Sequence, residues 1–439
     1  MASFEVISPE PAEDAAEAAS VRYIDARSSE RANAARVGPA ASTPRSVKAA
    51  LVVAWAMAIL SFFAVSVAGL AIRPWMAVGA VTLPLVLLLP LNVRAVRLLG
   101  PYITLCIYEL LSLAWTPNFT TGTTIVIQLV LPLLAYLVAW RARPADVLAV
   151  AANFALAGLV IGAGIGALWL AGVIDDKIVP VRSTAIGIVV LYVVASLKPP
   201  TMRRMLLTGG LALAMTLATG SRMAAAVTLM LMLFSPAMLM TGSAKRFAVA
   251  SLAVVAILVG SQTAAFQERF FFSSGGASLK DVVTLSGNLN TAGRRELWPA
   301  LIRTCSAEPI RGLGAGSGSD VASKLSGGVL SHPHDDYLRV YCDAGWVGEV
   351  LFIAFLVWAF VRSLRGALTR RDGTTRALHM AAAQLVLAYA VLAITDNPMV
   401  YGGQLGIPLC IILAMSDRLL LPERARAALA GVPSQAAAR

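Results

Sequence analysis

Charged residues are scarce in this chain. Asp, Glu, Lys and Arg make up 14% of its 439 residues, whereas soluble domains carry about 25% charged residues. Apolar residues reach 58%, above the roughly 45–50% of soluble domains. This balance excludes a soluble enzyme, a disordered protein and a nucleic-acid-binding domain, and it is typical of a polytopic membrane protein. The net charge of +12 therefore has to be judged against membrane topology before an acidic partner is considered.

Cysteine and histidine are rare as well. The four cysteines do not form a disulfide framework, and two of them lie inside apolar runs. Cys305 and Cys342 lie in a polar stretch and can pair only if that stretch faces an oxidising compartment; the sequence favours leaving them unpaired. Of the three histidines, His332 and His334 share one short polar run.

Long apolar runs are abundant. A helix needs about 20 residues to cross the hydrocarbon core, and twelve runs have spanning or near-spanning length: 49–72, 75–92, 98–116, 121–140, 145–173, 183–197, 203–219, 223–241, 247–264, 345–363, 377–395 and 400–420. The 145–173 run is long and glycine-rich, which favours a tilted or broken helix. The 183–197 run is short. Residues 1–47 are polar and predict a disordered cytoplasmic tail, and 421–439 form a second cytoplasmic tail.

Lys and Arg orient these spans. With the N-terminus in the cytoplasm, the inner segments hold 24 of these residues and the short outer loops hold 4. This asymmetry predicts that both termini are cytoplasmic and accounts for most of the positive charge. The order is then nine transmembrane helices in 48–264, one long extracytoplasmic loop in 265–344, and helices ten to twelve in 345–420. A loop of this length is uncommon unless it has a function or a structure of its own.

The loop contains a predicted amphipathic helix with Arg294 in its first turn. Its apolar residues recur at helical spacing: Leu297, Trp298, Leu301, Ile302 and Cys305. A glycine-rich stretch follows over 309–319. Its glycines permit close approach of the backbone to a ligand, and successive N–H groups can form an anion nest. A simple flexible turn explains the same composition.

The third stretch of the loop places His332 and His334 beside Asp335 and Asp336. Either aspartate can cap a following helix, which puts His334 at or beside the helix start. A neutral imidazole acts as a general base near pH 7. Two other interpretations stay open: a His-x-His metal site with aspartate oxygens, and polar surface residues without a role.

Arginines at the predicted outer face are few, so each is a candidate for a phosphate site. Arg222 follows a tight turn between two apolar runs, and Arg182 follows another apolar boundary. A topological or snorkelling arginine is the alternative interpretation. Asp396 lies in an Asp-Asn-Pro sequence between the last two runs, where a plain helix-ending turn is favoured.

Four motifs, in order along the chain, resemble the O-antigen ligase family and its relatives. They are Ser221-Arg222, Gly293-Arg294 followed by Trp298, Pro309 followed by Gly312 and Gly314, and His334-Asp335 followed after nine residues by Gly345-Trp346-Val347-Gly348. Asp335 departs from the pattern, because the family usually has Asn, Ser or Gln there. This departure weakens the separation of ligases from their relatives.

The resemblance implies an all-α integral membrane protein of about 12 transmembrane helices, similar to GT-C glycosyltransferases, with one long periplasmic loop that contains short helices. It implies an inner-membrane glycosyltransferase that moves O-antigen polysaccharide from undecaprenyl pyrophosphate to a hydroxyl of lipid A–core, with inversion of the anomeric centre. Membrane lipids are expected around the protein, and nucleic acid is not expected as a partner. His334 is then the base, and Arg222 and Arg294 bind pyrophosphate. No metal or cofactor is expected.

Other residues of the polar segments are possible substrate contacts: His332, Arg295, Asp335 and Arg182. The motif register favours Arg294 over Arg295 as the phosphate ligand. An O-antigen polymerase or a protein O-oligosaccharyltransferase is the nearest alternative, since the chemistry is the same and the acceptor differs. A lipid or polysaccharide transporter is more remote, because transporters place ionisable residues near the bilayer midplane, and Glu109 is the main such residue here.

Overall fold

The protein is helical. A computed structural model describes residues 43–60, 66–67, 70–71, 74–88, 93–173, 181–197, 201–219, 221–235, 251, 294–370 and 372–421. Within them, the helices up to residue 235 are α1 (Arg45–Leu60), α2 (Pro74–Leu88), α3 (Val93–Leu98), α4 (Gly100–Ser112), α5 (Phe119–Ala139), α6 (Pro144–Leu170), α7 (Val181–Ala195), α8 (Met202–Ala218) and α9 (Arg222–Leu233).

From residue 294 onward, the described residues form two short helices and three longer ones. They are α10 (Arg294–Cys305), α11 (Ser317–Leu325), α12 (Asp336–Thr369), α13 (Gly373–Leu392) and α14 (Ile407–Leu420), with a π-helical turn at Gly402–Gly406 before α14. Two strands of two residues, β1 (Ser66–Val67) and β2 (Leu70–Ala71), pair antiparallel, with Ser66 opposite Ala71.

Five of these helical segments are long and apolar enough to cross a membrane, within the part of the chain that the structure describes: 119–139, 144–169, 336–369, 373–392 and 402–420. Eleven of the twelve predicted apolar runs overlap a described helix. Apart from residue 251, the run 247–264 lies outside the described residues, and so do residues 1–42 of the predicted tail 1–47 and 422–439 of the predicted tail 421–439. The end of the first predicted tail is helical, because α1 begins at Arg45. The membrane character is thus confirmed, while the number of twelve spans stays a prediction.

The structure adds detail to two of the predicted apolar runs. The 145–173 run forms one continuous 27-residue helix, α6, without a break. The short 183–197 run forms α7, whose described side chains are all buried. This helix packs against α6, α8, α9 and α13, so neighbouring helices rather than lipid surround its apolar residues.

Helix α12 organises the second half of the protein. It packs against α4 and α13 along its length and against α10 and α11 near its start. Gly345 breaks the helical path with φ 62° and ψ −160°. The break separates a first segment, Asp336–Ala344, which carries polar and buried charged side chains, from the long apolar segment. The predicted boundary between loop and span, at 344–345, coincides with this break.

A small second core lies beneath the polar segment. It contains Leu297, Leu301, Cys305, Ala322 and Cys342, with Trp298, Leu338 and Tyr341 packed around them. The predicted amphipathic helix is confirmed as α10, except that Ile302 is 47% exposed. Cys305 and Cys342 form a disulfide with a Cα–Cα distance of 4.9 Å, so the sequence-based preference for an unpaired state is wrong. Helical spacing alone did not reveal that α10 packs directly on the first turns of α12.

Candidate functional site

Contacts from three separate elements fix the segment that carries both histidines. The Trp298 indole of α10 donates a hydrogen bond to the Pro333 carbonyl at 2.9 Å. On α11, the Ser319 hydroxyl lies 2.9 Å from Nδ1 of His332. Asp335 caps α12 by accepting the Leu338 N–H at 2.9 Å, which confirms the predicted capping and places His334 directly before the cap. The two histidines are therefore held in defined positions.

His334 faces the connection between α13 and α14. Its Nδ1 lies 3.2 Å from the Asn397 side-chain nitrogen and 3.7 Å from Oδ1 of Asp396. The imidazole is 28% exposed and the Asp396 carboxyl 23% exposed, so a substrate can reach the ring. His334 has φ 56° and is the one non-glycine residue among those described with a positive φ. Such conformations persist where the surrounding structure enforces them, and they cluster at functional sites.

Arg294, the first residue of α10, lies near the same acidic group. Burial lowers the pKa of its guanidinium, while the negative charges of Asp396 and Asp335 act against that shift. Its Nε is buried and has no hydrogen-bond partner among the described residues. A buried donor without a partner is costly, and an anionic ligand of the site would supply the missing acceptor.

Burial shifts the pKa values of His332 and Asp335 in opposite directions. Burial, with smaller contributions from the charges of Arg339 and His334, lowers the pKa of His332 to about 4, so this imidazole is neutral at pH 7. Burial raises the pKa of Asp335, against hydrogen bonds from the backbone N–H groups of Leu338 and Tyr337. His332 is thus a neutral hydrogen-bonding group beside Ser319, and the cap of α12 carries a destabilised negative charge.

Asp396, Asn397 and Tyr401 are the residues that sequence reasoning missed. The interpretation of Asp396 as part of a plain helix-ending turn is incomplete, because the turn also contacts His334. Tyr401 interacts electrostatically with Asp396 and Arg294. The available signal was the Asp-Asn-Pro sequence itself, at the predicted outer end of two spans.

The glycine-rich stretch does not present a free anion nest, because protein groups accept its N–H bonds. Gly314 donates to the Asp343 carbonyl at 2.9 Å, Gly318 to the Asp343 carboxylate at 2.6 Å, and Ala315 to the Ser112 hydroxyl at 2.9 Å. Its glycines serve close packing instead. A side chain on Gly312 would meet the backbone of Asp343.

The structure describes less about the other arginines that the sequence singled out. Arg222 is the first residue of α9, follows the N-cap Ser221 and is partly buried. The side chains of Arg182 and Arg295 lie outside the described residues, as does Gly293. Arg222, Arg294 and His334 all belong to helix starts or to the residues directly before them.

No group of three or more His, Cys, Asp or Glu side chains suited to a metal ion occurs in the described ranges. A helical membrane protein that holds a partly exposed His–Asp pair near a half-buried arginine has the features expected of an integral membrane enzyme. Residues 207–353 match the family model described as O-Antigen ligase. This match supports an O-antigen ligase family assignment and confirms the resemblance that the motifs show. Members of this family are glycosyltransferase-like membrane enzymes.

A comparison with curated proteins gave no match. The matched region includes Arg222, Arg294 and His334, whereas Asp396 and Asn397 lie beyond its end. The site therefore combines residues from the family region with residues from the connection that follows it.

Proposed function

We propose that this protein is an O-antigen ligase, which transfers O-antigen polysaccharide from undecaprenyl pyrophosphate to a hydroxyl of lipid A–core at the outer surface of the inner membrane. The single observation that carries the proposal is the His334–Asp396 pair together with Arg294, which interacts electrostatically with Asp396 and whose Nε has no hydrogen-bond partner among the described residues. Such a site combines a base for a hydroxyl with a cation for a leaving pyrophosphate.

The reaction is a single displacement. Asp396 Oδ1 beside Nδ1 of His334 favours the tautomer with its proton on Nδ1, and rotation of the Asn397 amide offers a second acceptor to that proton. Nε2 is then free to take the proton of the acceptor hydroxyl as its oxygen attacks the anomeric carbon. The bond from that carbon to the pyrophosphate oxygen breaks, and the lipid pyrophosphate leaves with the electron pair. The anomeric centre is inverted.

Two arginines support stabilisation of the leaving pyrophosphate, a type of interaction worth several kcal/mol in a preorganised site. Arg294 is beside the pair already. For Arg222, the Gln384 side chain of α13 donates to the Leu231 carbonyl of α9 at 2.8 Å. The charge-derived topology requires α9 and α13 to run antiparallel. Arg222 and Leu392 each lie about 12–14 Å along their helix from the Gln384–Leu231 contact, so this topology puts Arg222 near the level of Leu392.

The disulfide supports an extracytoplasmic position of the site, because disulfides persist in oxidising compartments such as the bacterial periplasm. Cys305 ends α10, which begins with Arg294, and Cys342 lies two turns into α12. The GT-C-like architecture, the periplasmic loop over 265–344 and roles for His332, Asp335, Arg295 and Arg182 in substrate binding belong to the same proposal. The polymerase and protein O-oligosaccharyltransferase remain alternatives that differ in the acceptor.

The test is transfer by purified protein with lipid A–core and undecaprenyl-pyrophosphate-linked O-antigen, in the presence of EDTA, followed by a gel for ladder-bearing lipopolysaccharide. We expect a ladder from the wild-type protein and none from His334→Ala. His379→Ala is the matched control. His379 lies on α13, is buried and contacts Ser416 of α14. Its folded protein should keep the ladder.

Wild-type transfer by His334→Ala would exclude the base role. No ladder from folded wild-type protein would favour an acceptor other than lipid A–core. Loss of the ladder in EDTA alone would restore the metal-site interpretation of His332, His334 and the aspartates.

A further inference from the structure

One buried ion pair at the start of α12 lies outside the chemistry described so far. Asp336 and Arg339 are 0% and 1% exposed, and the Arg339 Nε donates to Asp336 Oδ1 at 2.9 Å. Burying two charges costs desolvation that their attraction often fails to recover, so such pairs are weak evidence for stability. Their hydrogen bonds to other elements indicate a different role.

Both ends of the connection from α13 to α14 are tied to this pair. At one end, the Asp336 N–H donates to the Ala393 carbonyl at 2.8 Å. At the other, the Met399 N–H donates to Asp336 Oδ2 at 2.7 Å, and an Arg339 guanidinium nitrogen contacts the Met399 sulfur. Asp336 therefore accepts from Arg339 with one oxygen and from the connection with the other.

Between these two attachments lie the residues that touch His334. Asp396 is midway between Ala393 and Met399 in sequence, and Asn397 follows it. On the facing side, His334 is two residues from Asp336. A closed ring thus forms from two backbone segments, 334–336 and 393–399, which are joined by the hydrogen bonds of Asp336 to Ala393 and Met399. The contacts of Asp396 and Asn397 with Nδ1 of His334 cross that ring.

We infer that Asp336, itself oriented by Arg339, is a positioning residue that holds Asp396 and Asn397 against Nδ1 of His334 and so keeps Nε2 free for the acceptor hydroxyl. The catalytic part of this inference rests on the proposed function. The positioning part is a statement about the imidazole and its neighbours. It is measurable without any sugar transfer.

The kinetic test compares Asp336→Asn with Asp417→Asn. Asp417 is a matched control because it is fully buried and also faces an arginine of α12, Arg362, at 2.5 and 2.6 Å. That pair lies about 26 Å of helix beyond Gly345. Each variant removes one buried carboxylate charge opposite an α12 arginine, so their losses of thermal stability should be similar.

We expect Asp336→Asn to lower kcat about 10- to 100-fold with little change in the KM for the lipid-linked donor, since small misplacement of a reacting group has effects of this size. Asp417→Asn should keep kcat within about 3-fold of wild type, as expected for a site away from the reacting groups. Equal kcat losses in the two folded variants, or a loss confined to KM, would overturn the inference.

The direct test is nitrogen-15 NMR of histidine-labelled protein in lipid nanodiscs. The chain has three histidines, and His334→Ala identifies the His334 signals. In wild type and Asp417→Asn we expect the tautomer protonated on Nδ1, and in Asp336→Asn a mixture of both tautomers. An unchanged His334 tautomer in Asp336→Asn would refute positioning.

If Asp336→Asn does not fold, Arg339→Lys replaces it. The lysine keeps a positive charge beside Asp336 and loses the guanidinium contacts, so a smaller fraction of the second tautomer is expected, and an unchanged spectrum counts against the inference. Activity of His334→Ala would contradict the proposed function alone, whereas the tautomer measurement would still decide the positioning role.

Discussion

His334 has an unusual backbone conformation together with a partly exposed side chain. A positive φ is uncommon for a residue with a Cβ, and it costs of order 1–3 kcal/mol where it is strained. The Trp298 indole holds the Pro333 carbonyl, the Ser319 hydroxyl contacts the His332 side chain, and the Asp335 carboxylate accepts the Leu338 N–H. The protein thus orders this segment from both sides of the histidine, as the proposed role of His334 as a base requires.

Arg294 leads to a prediction at the same scale. Arg294→Ala should lower transfer about 100- to 1,000-fold, the range found when one preorganised stabilising donor is removed. Arg294→Lys should recover only part of this loss, since lysine cannot reproduce the planar guanidinium donors. Initial rates of transfer at saturating acceptor measure both effects.

The control for this prediction is Arg303→Ala on the same helix. Arg303 is in the last turn of α10 and is exposed, so it tests whether any loss of positive charge on α10 is enough. Its rate should stay close to wild type. A comparable loss in Arg303→Ala would indicate a general electrostatic effect of the helix instead of a specific phosphate contact.

Among the elements, the break in α12 and the glycine-rich stretch form one structural unit. The Trp346 N–H donates to the Pro309 carbonyl at 2.9 Å, and the Leu313 N–H donates to the Cys342 carbonyl at 2.8 Å. The two glycine motifs recognised in the sequence therefore pack against each other, and a side chain on Gly345 would meet the Ile310 carbonyl. Their main contribution is to let the backbone segments approach.

Gly345→Ala should accordingly destabilise the protein by about 1–3 kcal/mol or more, because alanine is strained at this positive φ and its Cβ has no room. Gly210→Ala is the control, since Gly210 is exposed within α8 and a side chain there meets nothing within 4 Å. That variant should be neutral or gain about 0.5–1 kcal/mol from helix propensity. Thermal unfolding in detergent measures both, and equal stability of the two variants would contradict the packing role of the break.

For the whole molecule, the orientation derived from Lys and Arg is open to direct measurement. Val329 is 83% exposed in the polar segment, and Thr374 is exposed at the start of α13. The topology places Val329 outside and Thr374 in the cytoplasm. We expect a membrane-impermeant thiol reagent to label Val329→Cys in intact cells with a permeabilised outer membrane, and Thr374→Cys only after lysis.

The native cysteines should not react with the thiol reagent. Cys106 and Cys410 are buried, and Cys305 and Cys342 are bonded to each other. The unmodified protein is therefore the control. Labelling of Thr374→Cys before lysis, with Val329→Cys protected, would reverse the topology and place the His334 site in the cytoplasm.

The sequence by itself indicated the membrane character, the helical class, the resemblance to the O-antigen ligase family and three candidate residues for the proposed chemistry. Scarcity of charge and long apolar runs are properties of composition, and the motifs around Arg222, Arg294 and His334 are read within short windows. For the same reason the amphipathic face of α10 and a cap at Asp335 or Asp336 could be predicted: both are local, set by helical periodicity and by unsatisfied N–H groups at a helix start. The structure selects Asp335.

Only the tertiary structure decided which groups face His334 and what the glycines and cysteines do. Asn397 lies 63 residues from His334 in sequence, and the Cys305–Cys342 bond joins residues 37 apart. Apolar periodicity predicts which side of a helix is buried but not which helix covers it. The attachment of Asp336 to Ala393 and Met399, and the approach of the Asp396 turn to His334, therefore became visible only once α12, α13 and α14 were packed together.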